Sequence, residues 1–173
     1  MRIGVTKGIV GVFAVASVIA ALGKGWAADE AAQSVDYTKI SPSDLIKNTP
    51  KGKLKNPYSD TQADVVEQGR HLFLAYGCNG CHGGGGGGGM CPPLTNDTWV
   101  YGGDDDTLFR LVALGSDELL SKGYTRKGHE NVVGPMPAMG PIVTTDDTLW
   151  RILTFVRSNY SGAPECKLGC PPP

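Results

Sequence analysis

The chain has 173 residues, with 16 lysines and arginines set against 17 acids. Near-neutral charge without a basic stretch argues against nucleic acid as a partner, because phosphate binding needs a basic face. The length allows one domain with a modest core and some irregular segments around it.

Residues 1–27 read as a secretory signal. Arg2 and Lys7 precede an apolar run over 9–22, and Gly25 and Ala27 are small residues two apart that suit cleavage after Ala27. That run falls short of the ~20 apolar residues needed to span a bilayer. The expectation is therefore a cleaved leader and an exported protein with no membrane association afterwards. Losing Arg2, Lys7 and Lys24 takes the balance from 16 bases against 17 acids to 13 against 17. Residues 28–60 follow as an extended arm, with prolines at 42, 50 and 57, lysines between them and no sustained apolar period.

The first predicted helix covers 61–76, capped by Asp60 or Thr61. Val65, Val66, Gly69, Leu72, Phe73 and Tyr76 recur at helical spacing. Gly69 and Phe73 share a face, and a glycine inside a helix costs ~1 kcal/mol, so a close helix crossing is expected there. A second helix is predicted over 105–115. Asp104, Asp105 and Asp106 load its N-terminus with the charge that the macrodipole favours, and Gly115 stops it. The third covers 146–161. Thr145 caps it, and Leu149, Leu153, Val156 and Tyr160 form one stripe. No run reads as a strand, so the fold class is all-α: a domain over 61–162 and an irregular tail over 163–173.

Between the first two helices lies C-N-G-C-H, residues 78–82. In an exported protein the C-x-x-C-H pattern is the attachment signature of haem c. Cys78 and Cys81 each present a thiol to one vinyl group, and His82 ligates the iron through a ring nitrogen. A thioredoxin-like pair needs a βαβ context that is absent here, and no second metal-ligand pair completes a zinc site. A covalent apolar ring also gives three short helices something to close around. The residues leave the second axial ligand open among Met90, Met136, Met139, His71 and His129.

The segment G-P-M-P-A-M-G, residues 134–140, followed by a D-D-capped C-terminal helix, resembles the class I cytochromes c. That resemblance implies three main helices around one covalent haem, with Met136 as distal ligand and Met139 packed beside the ring. C-P-P-L, residues 91–94, resembles the family's G-P-x-L, with Cys91 in place of the usual glycine. Pro92 then accepts a hydrogen bond from the haem histidine. Gly69 and Phe73 resemble the positions that cross the C-terminal helix near Tyr160. Trp99 and Tyr101, and more weakly Arg110, are candidates for hydrogen bonds to the haem propionates, with core packing as the alternative.

The combination of a glycine-rich haem loop, C-P-P-L-T-N-D-T-W-V-Y-G-G, L-F-R-L-V, G-S (residues 115–116) and V-V-G-P-M-P-A-M-G is similar to the cytochrome c-L family. This likeness spans roughly 76–159. It implies a monomeric periplasmic electron carrier, not an enzyme. Such a carrier takes electrons from a PQQ-dependent methanol dehydrogenase, the lanthanide-dependent type above all, and passes them to another c-type cytochrome. The alternatives are a carrier for a different dehydrogenase or oxidase, and a haem enzyme or sensor with an open iron position.

Two features remain. Seven consecutive glycines, 83–89, cannot serve stability, since each costs ~0.5–1 kcal/mol relative to alanine when ordered. They read either as a smooth rim that lets a partner approach or as a low-complexity loop without a role. Beyond the haem pair, Cys91, Cys166 and Cys170 allow one disulfide. A bridge from Cys91 to the tail is expected over Cys166–Cys170, because it would clamp an unrestrained loop.

Overall fold

The computed structural model describes residues 40–128 and 130–168. The described residues are helical, and none lies in a strand. Helix α1 spans Pro42–Asn48, α2 Ala63–Ala75, α3 Asn79–His82, α4 Asp105–Leu114, α5 Ser116–Ser121 and α6 Asp146–Ser158. The predicted helices are α2, α4 and α6, each a little shorter than expected. Among the described residues no helix is long and apolar enough to cross a membrane.

Helices α2 and α6 make the principal packing pair. Gly69 is where they touch. A Cβ placed there would collide with the Arg151 carbonyl oxygen and lie 3.0 Å from Phe155 Cβ. The missing side group lets one backbone reach the other. Phe73 then stacks on Phe155 with ring centroids 5.2 Å apart. The crossing therefore centres on Arg151 and Phe155. Tyr160, expected there, instead meets Trp99 edge-on at 5.2 Å. Helix α4 lies against the other side of α6, with Phe109 and Trp150 at 4.3 Å. Phe73, Phe109, Leu149 and Leu153 are fully buried, each contributing about 1.5–3 kcal/mol.

The aspartate run does more than start a helix. Asp104 accepts the Thr107 N–H at 2.9 Å as the N-cap of α4. Asp105 pairs with Arg157 of α6, and Asp106 with Arg110 at 3.0 Å. Both pairs are buried.

The arm departs from expectation over its described part. Residues 42–48 are helical, capped by the Ser41 hydroxyl, and the segment beyond is anchored rather than loose. Leu54 is buried, and its N–H donates to Asp106 at 3.2 Å. Arg110 donates to the carbonyls of Thr49 and Pro50 at 2.8 and 3.2 Å. Asn56 donates to Thr154 on α6 at 3.0 Å. Extended backbone between prolines has unpaired carbonyls, and here buried arginine and aspartate satisfy the polar groups of the arm. The predicted signal, residues 1–27, and residues 28–39 of the arm lie outside the described residues. The tail forms one 3-10 turn, Pro164–Cys166.

Candidate haem site

The C-x-x-C-H segment is a single tight turn hung from the end of α2. Gly77, at φ +74°, breaks α2 in a conformation that residues with a Cβ avoid. Cys78 leads into α3, and Gly83, at φ +77°, ends it. The turn is braced from outside. His82 Nδ1 lies 2.9 Å from the Pro92 carbonyl oxygen. A carbonyl only accepts, so Nδ1 carries a hydrogen and Nε2 is the ring nitrogen left out of this bond, on a residue that lines the adjoining cavity.

The glycines fold into a compact return loop. Gly88 N–H donates to His82 O at 2.8 Å, Leu94 N–H to Gly86 O at 2.7 Å and Cys91 N–H to Cys81 O at 3.1 Å. Gly88 is at φ +96°, and a Cβ on it would sit 2.9 Å from Pro93. At Gly83 a Cβ would likewise lie 2.7 Å from a backbone oxygen, that of Gly88. Gly84, Gly85 and Gly87 do face open space.

Beside this turn is an apolar cavity of about 330 Å³. Cys78, His82 and Pro92 line one side, and Met136 lines it from a separate segment. Phe73, Leu108, Leu153 and Val156 bring α2, α4 and α6 to its walls. The lining brings the Cys78 thiol, the His82 imidazole and the Met136 thioether to one apolar hollow, and Cys81 sits in the same turn, one residue before His82, outside the lining itself; this is the donor set that a flat, covalently held iron porphyrin requires. The residues fit the group. Burial pushes the Cys78 thiol up, so it stays protonated until it is used.

The alternative second ligands lie elsewhere. Met139 packs against the hydrophobic core. Met90 is 63% exposed on the glycine loop. His71 is exposed and sits 3.0 Å from Glu67. His129 lies outside the described residues. Met136 is held by Ser116, the serine of the G-S pair, to which the sequence assigned no role of its own. Ser116 N–H donates to Met136 O, and Met136 N–H donates to Ser116 Oγ, both at 3.0 Å. The only sequence signal was a serine directly after the helix-ending Gly115.

Of the propionate candidates, Trp99 and Tyr101 line the cavity. Trp99 Nε1 already donates to Leu94 O at 3.0 Å. Arg110 is absent from the cavity lining, because its guanidinium is committed to Asp106 and the arm. Arg126 and Glu130, not singled out from sequence, are on the wall. The expected clamp from Cys91 to the tail is not made. Cys91 is a free thiol and Cys166 is disulfide-bonded, while Cys170 lies outside the described residues. Backbone hydrogen bonds restrain the glycine loop instead. Burial and the adjacent Cys81 push the Cys91 thiol up to about 11.

A family model described as cytochrome c oxidase, cbb3-type, subunit III matches residues 64–156, more than half of the sequence. Among solved structures, cytochrome CL from the marine methylotrophic bacterium Methylophaga aminisulfidivorans MPT is similar at 24% identity with a TM-score of 0.46. The match covers 62% of this protein and 61% of that one, so the present sequence spans about six tenths of its length. No curated protein matches.

Proposed function

We propose a function on the premise that the chain belongs to the cytochrome c oxidase, cbb3-type, subunit III family of c-type cytochrome domains, electron carriers with covalently bound haem c. Cys78 and Cys81 would hold the haem covalently, His82 and Met136 would ligate its iron, and Pro92 would fix the imidazole. The observation that carries this reading is the single cavity lined both by His82, with Nε2 left free, and by Met136.

Bound there, haem c supplies a one-electron iron couple. The protein's own residues set the conditions. Pro92 O holds the His82 ring in one tautomer and orientation. Ser116 holds Met136 through both its N–H and its carbonyl. Phe73, Leu108, Leu153 and Val156 keep water from the walls, which favours the state of lower charge. Leu120 and Val132 are exposed apolar residues that also line the cavity. They give its mouth the surface for a brief, small encounter. Trp99 packs as core, and Tyr101 is the better placed of the two for a propionate.

The donor in this reading is a PQQ-dependent methanol dehydrogenase and the acceptor another c-type cytochrome, in the periplasm. What supports it is the likeness of the C-P-P-L and G-P-M-P-A-M-G segments to the cytochrome c-L family, and both segments line the same cavity. Anaerobic mixing of the oxidised haem protein with a lanthanide-dependent methanol dehydrogenase and methanol tests it. Haem reduction should be fast and should saturate with cytochrome concentration. Slow reduction of a haem that dithionite still reduces would overturn the donor assignment.

A further inference from the structure

The wall formed by the loop between α5 and α6 carries a charged pair that electron carriage alone does not use. Arg126 and Glu130 both line the haem cavity. Glu130 Oε2 is buried and has no hydrogen-bond partner among the described residues. Arg126 donates to the Glu130 backbone oxygen and leaves that carboxylate oxygen unmatched. Asp97, from the segment after Leu94, faces the same carboxyl with like charge. Asp117 of α5 and Tyr101 line the cavity as well, and His129 lies outside the described residues. Burial pushes the Glu130 carboxyl up, Arg126 opposes this and Asp97 adds to it. An unmatched carboxylate in a poorly solvated wall is costly, and the cost depends on the charge sharing its cavity.

We propose that Glu130 is a redox-linked proton site, taking up one proton when the cavity's iron gains one electron and releasing it when the electron leaves. The inference rests on the haem reading given above. The electron comes from the donor and the proton from solvent. The only bond formed is O–H at the Glu130 carboxyl. Reduction removes one unit of positive charge from the cavity, and a carboxylate in its wall then loses a stabilising partner. Coupling is reciprocal. The potential must therefore fall as pH rises through the window between the carboxyl's two titration points, and it must be flat outside that window.

Spectroelectrochemical titration of the full haem protein from about pH 4 to about pH 9, spanning ordinary and burial-raised carboxyl titration, reads this directly. The wild-type potential should fall by up to about 59 mV per pH unit within the window, the equivalent of a tenfold change for one electron. Glu130→Gln should flatten that slope and sit at a higher potential than wild type above the window, where it lacks the negative charge. A flat wild-type profile, or a slope kept by Glu130→Gln, overturns the proposal. Should Glu130→Gln fail to fold, Glu130→Asp keeps a carboxyl and must keep the slope with its window displaced, and an unmoved window overturns the proposal. A wrong axial ligand shows itself separately, as an unchanged haem spectrum in Met136→Ala.

Discussion

Gly69→Ala sets two effects of opposite sign against each other. Alanine is the better helix former, and in an isolated α2 the change would stabilise by about 1 kcal/mol. In the protein the new methyl collides with the Arg151 carbonyl oxygen and lies 2.8 Å from its carbon. These are backbone atoms of α6, so no rotamer can turn away and the helices must separate. Overpacking of this kind costs about 1–3 kcal/mol. With rigid backbone on the far side the upper figure applies, leaving a net loss of about 2 kcal/mol once the propensity gain is deducted. For a domain of this size that lowers Tm by roughly 5–10 °C. Moving α6 also moves Leu153 and Val156, which wall the haem cavity. Thermal unfolding of the haem protein, followed by far-ultraviolet circular dichroism and by haem absorbance, reads both consequences. An unchanged or higher Tm would mean that propensity governs and the crossing is not close.

Met136→Ala should change the haem spectrum and lower the potential, whereas Met139→Ala should keep the spectrum and lower thermal stability; identical spectra in both variants would remove Met136 as ligand. Ser116→Ala should cost about 1 kcal/mol through the lost Met136 N–H bond and lower the temperature at which thioether ligation is lost, seen by absorbance. Asp106→Asn leaves Arg110 buried without its counter-charge and should destabilise by about 3–5 kcal/mol, measured by denaturant unfolding. Burial alone would raise the Asp106 carboxyl, but Arg110, Tyr124 and the Gly52 and Leu54 N–H groups outweigh it and hold it below the ordinary 3.8. A depressed folded value means that this stabilisation is complete above that pH and is lost as pH falls from there through the folded value, so the stability gap between wild type and variant should be full at neutral pH and shrink below about pH 3.8. Alkylation of Cys91 should be much slower than that of an exposed thiol at neutral pH, followed by mass spectrometry, because burial keeps it protonated even after Cys81 is bonded to haem.

What could be read from the sequence was whatever repeats or caps. The stripes of α2, α4 and α6 are periodic, and Asp104 and Thr145 announce their helices, so those elements were legible to within a few residues. C-x-x-C-H was legible because attachment chemistry fixes its spacing, and Gly69 because its cost inside a helix demands a compensating contact. The arm was not legible. Its helix is seven residues long, and its anchorage consists of single long-range bonds from Asp106, Arg110 and Asn56 that no periodicity reports. Arg110 was misread for the same reason. On a helix loaded with aspartate, nothing local says whether the guanidinium turns to the cavity or to backbone some sixty residues earlier. The free state of Cys91 was not legible either, because nothing in a run of glycines shows that its own N–H and C=O groups close the loop.

Helix α4 is what links these parts to the ligand set. At its N-terminal end Asp106 and Arg110 grip the arm. At its C-terminal end the last carbonyls, which no helix satisfies internally, accept from the segment that carries the methionines: Met139 N–H donates to Val112 O at 2.9 Å and Gly140 N–H to Ala113 O at 3.0 Å. Three residues upstream of Met139, Ser116 closes the same segment on Met136. Met139 is thereby held against the core while Met136 is left at the cavity, so in the proposed ligand set the choice between two nearby thioethers would be made by the end of a helix and not by the thioethers themselves. A disturbance of the arm at Asp106 should therefore reach Met136 through α4, without any contact between arm and haem.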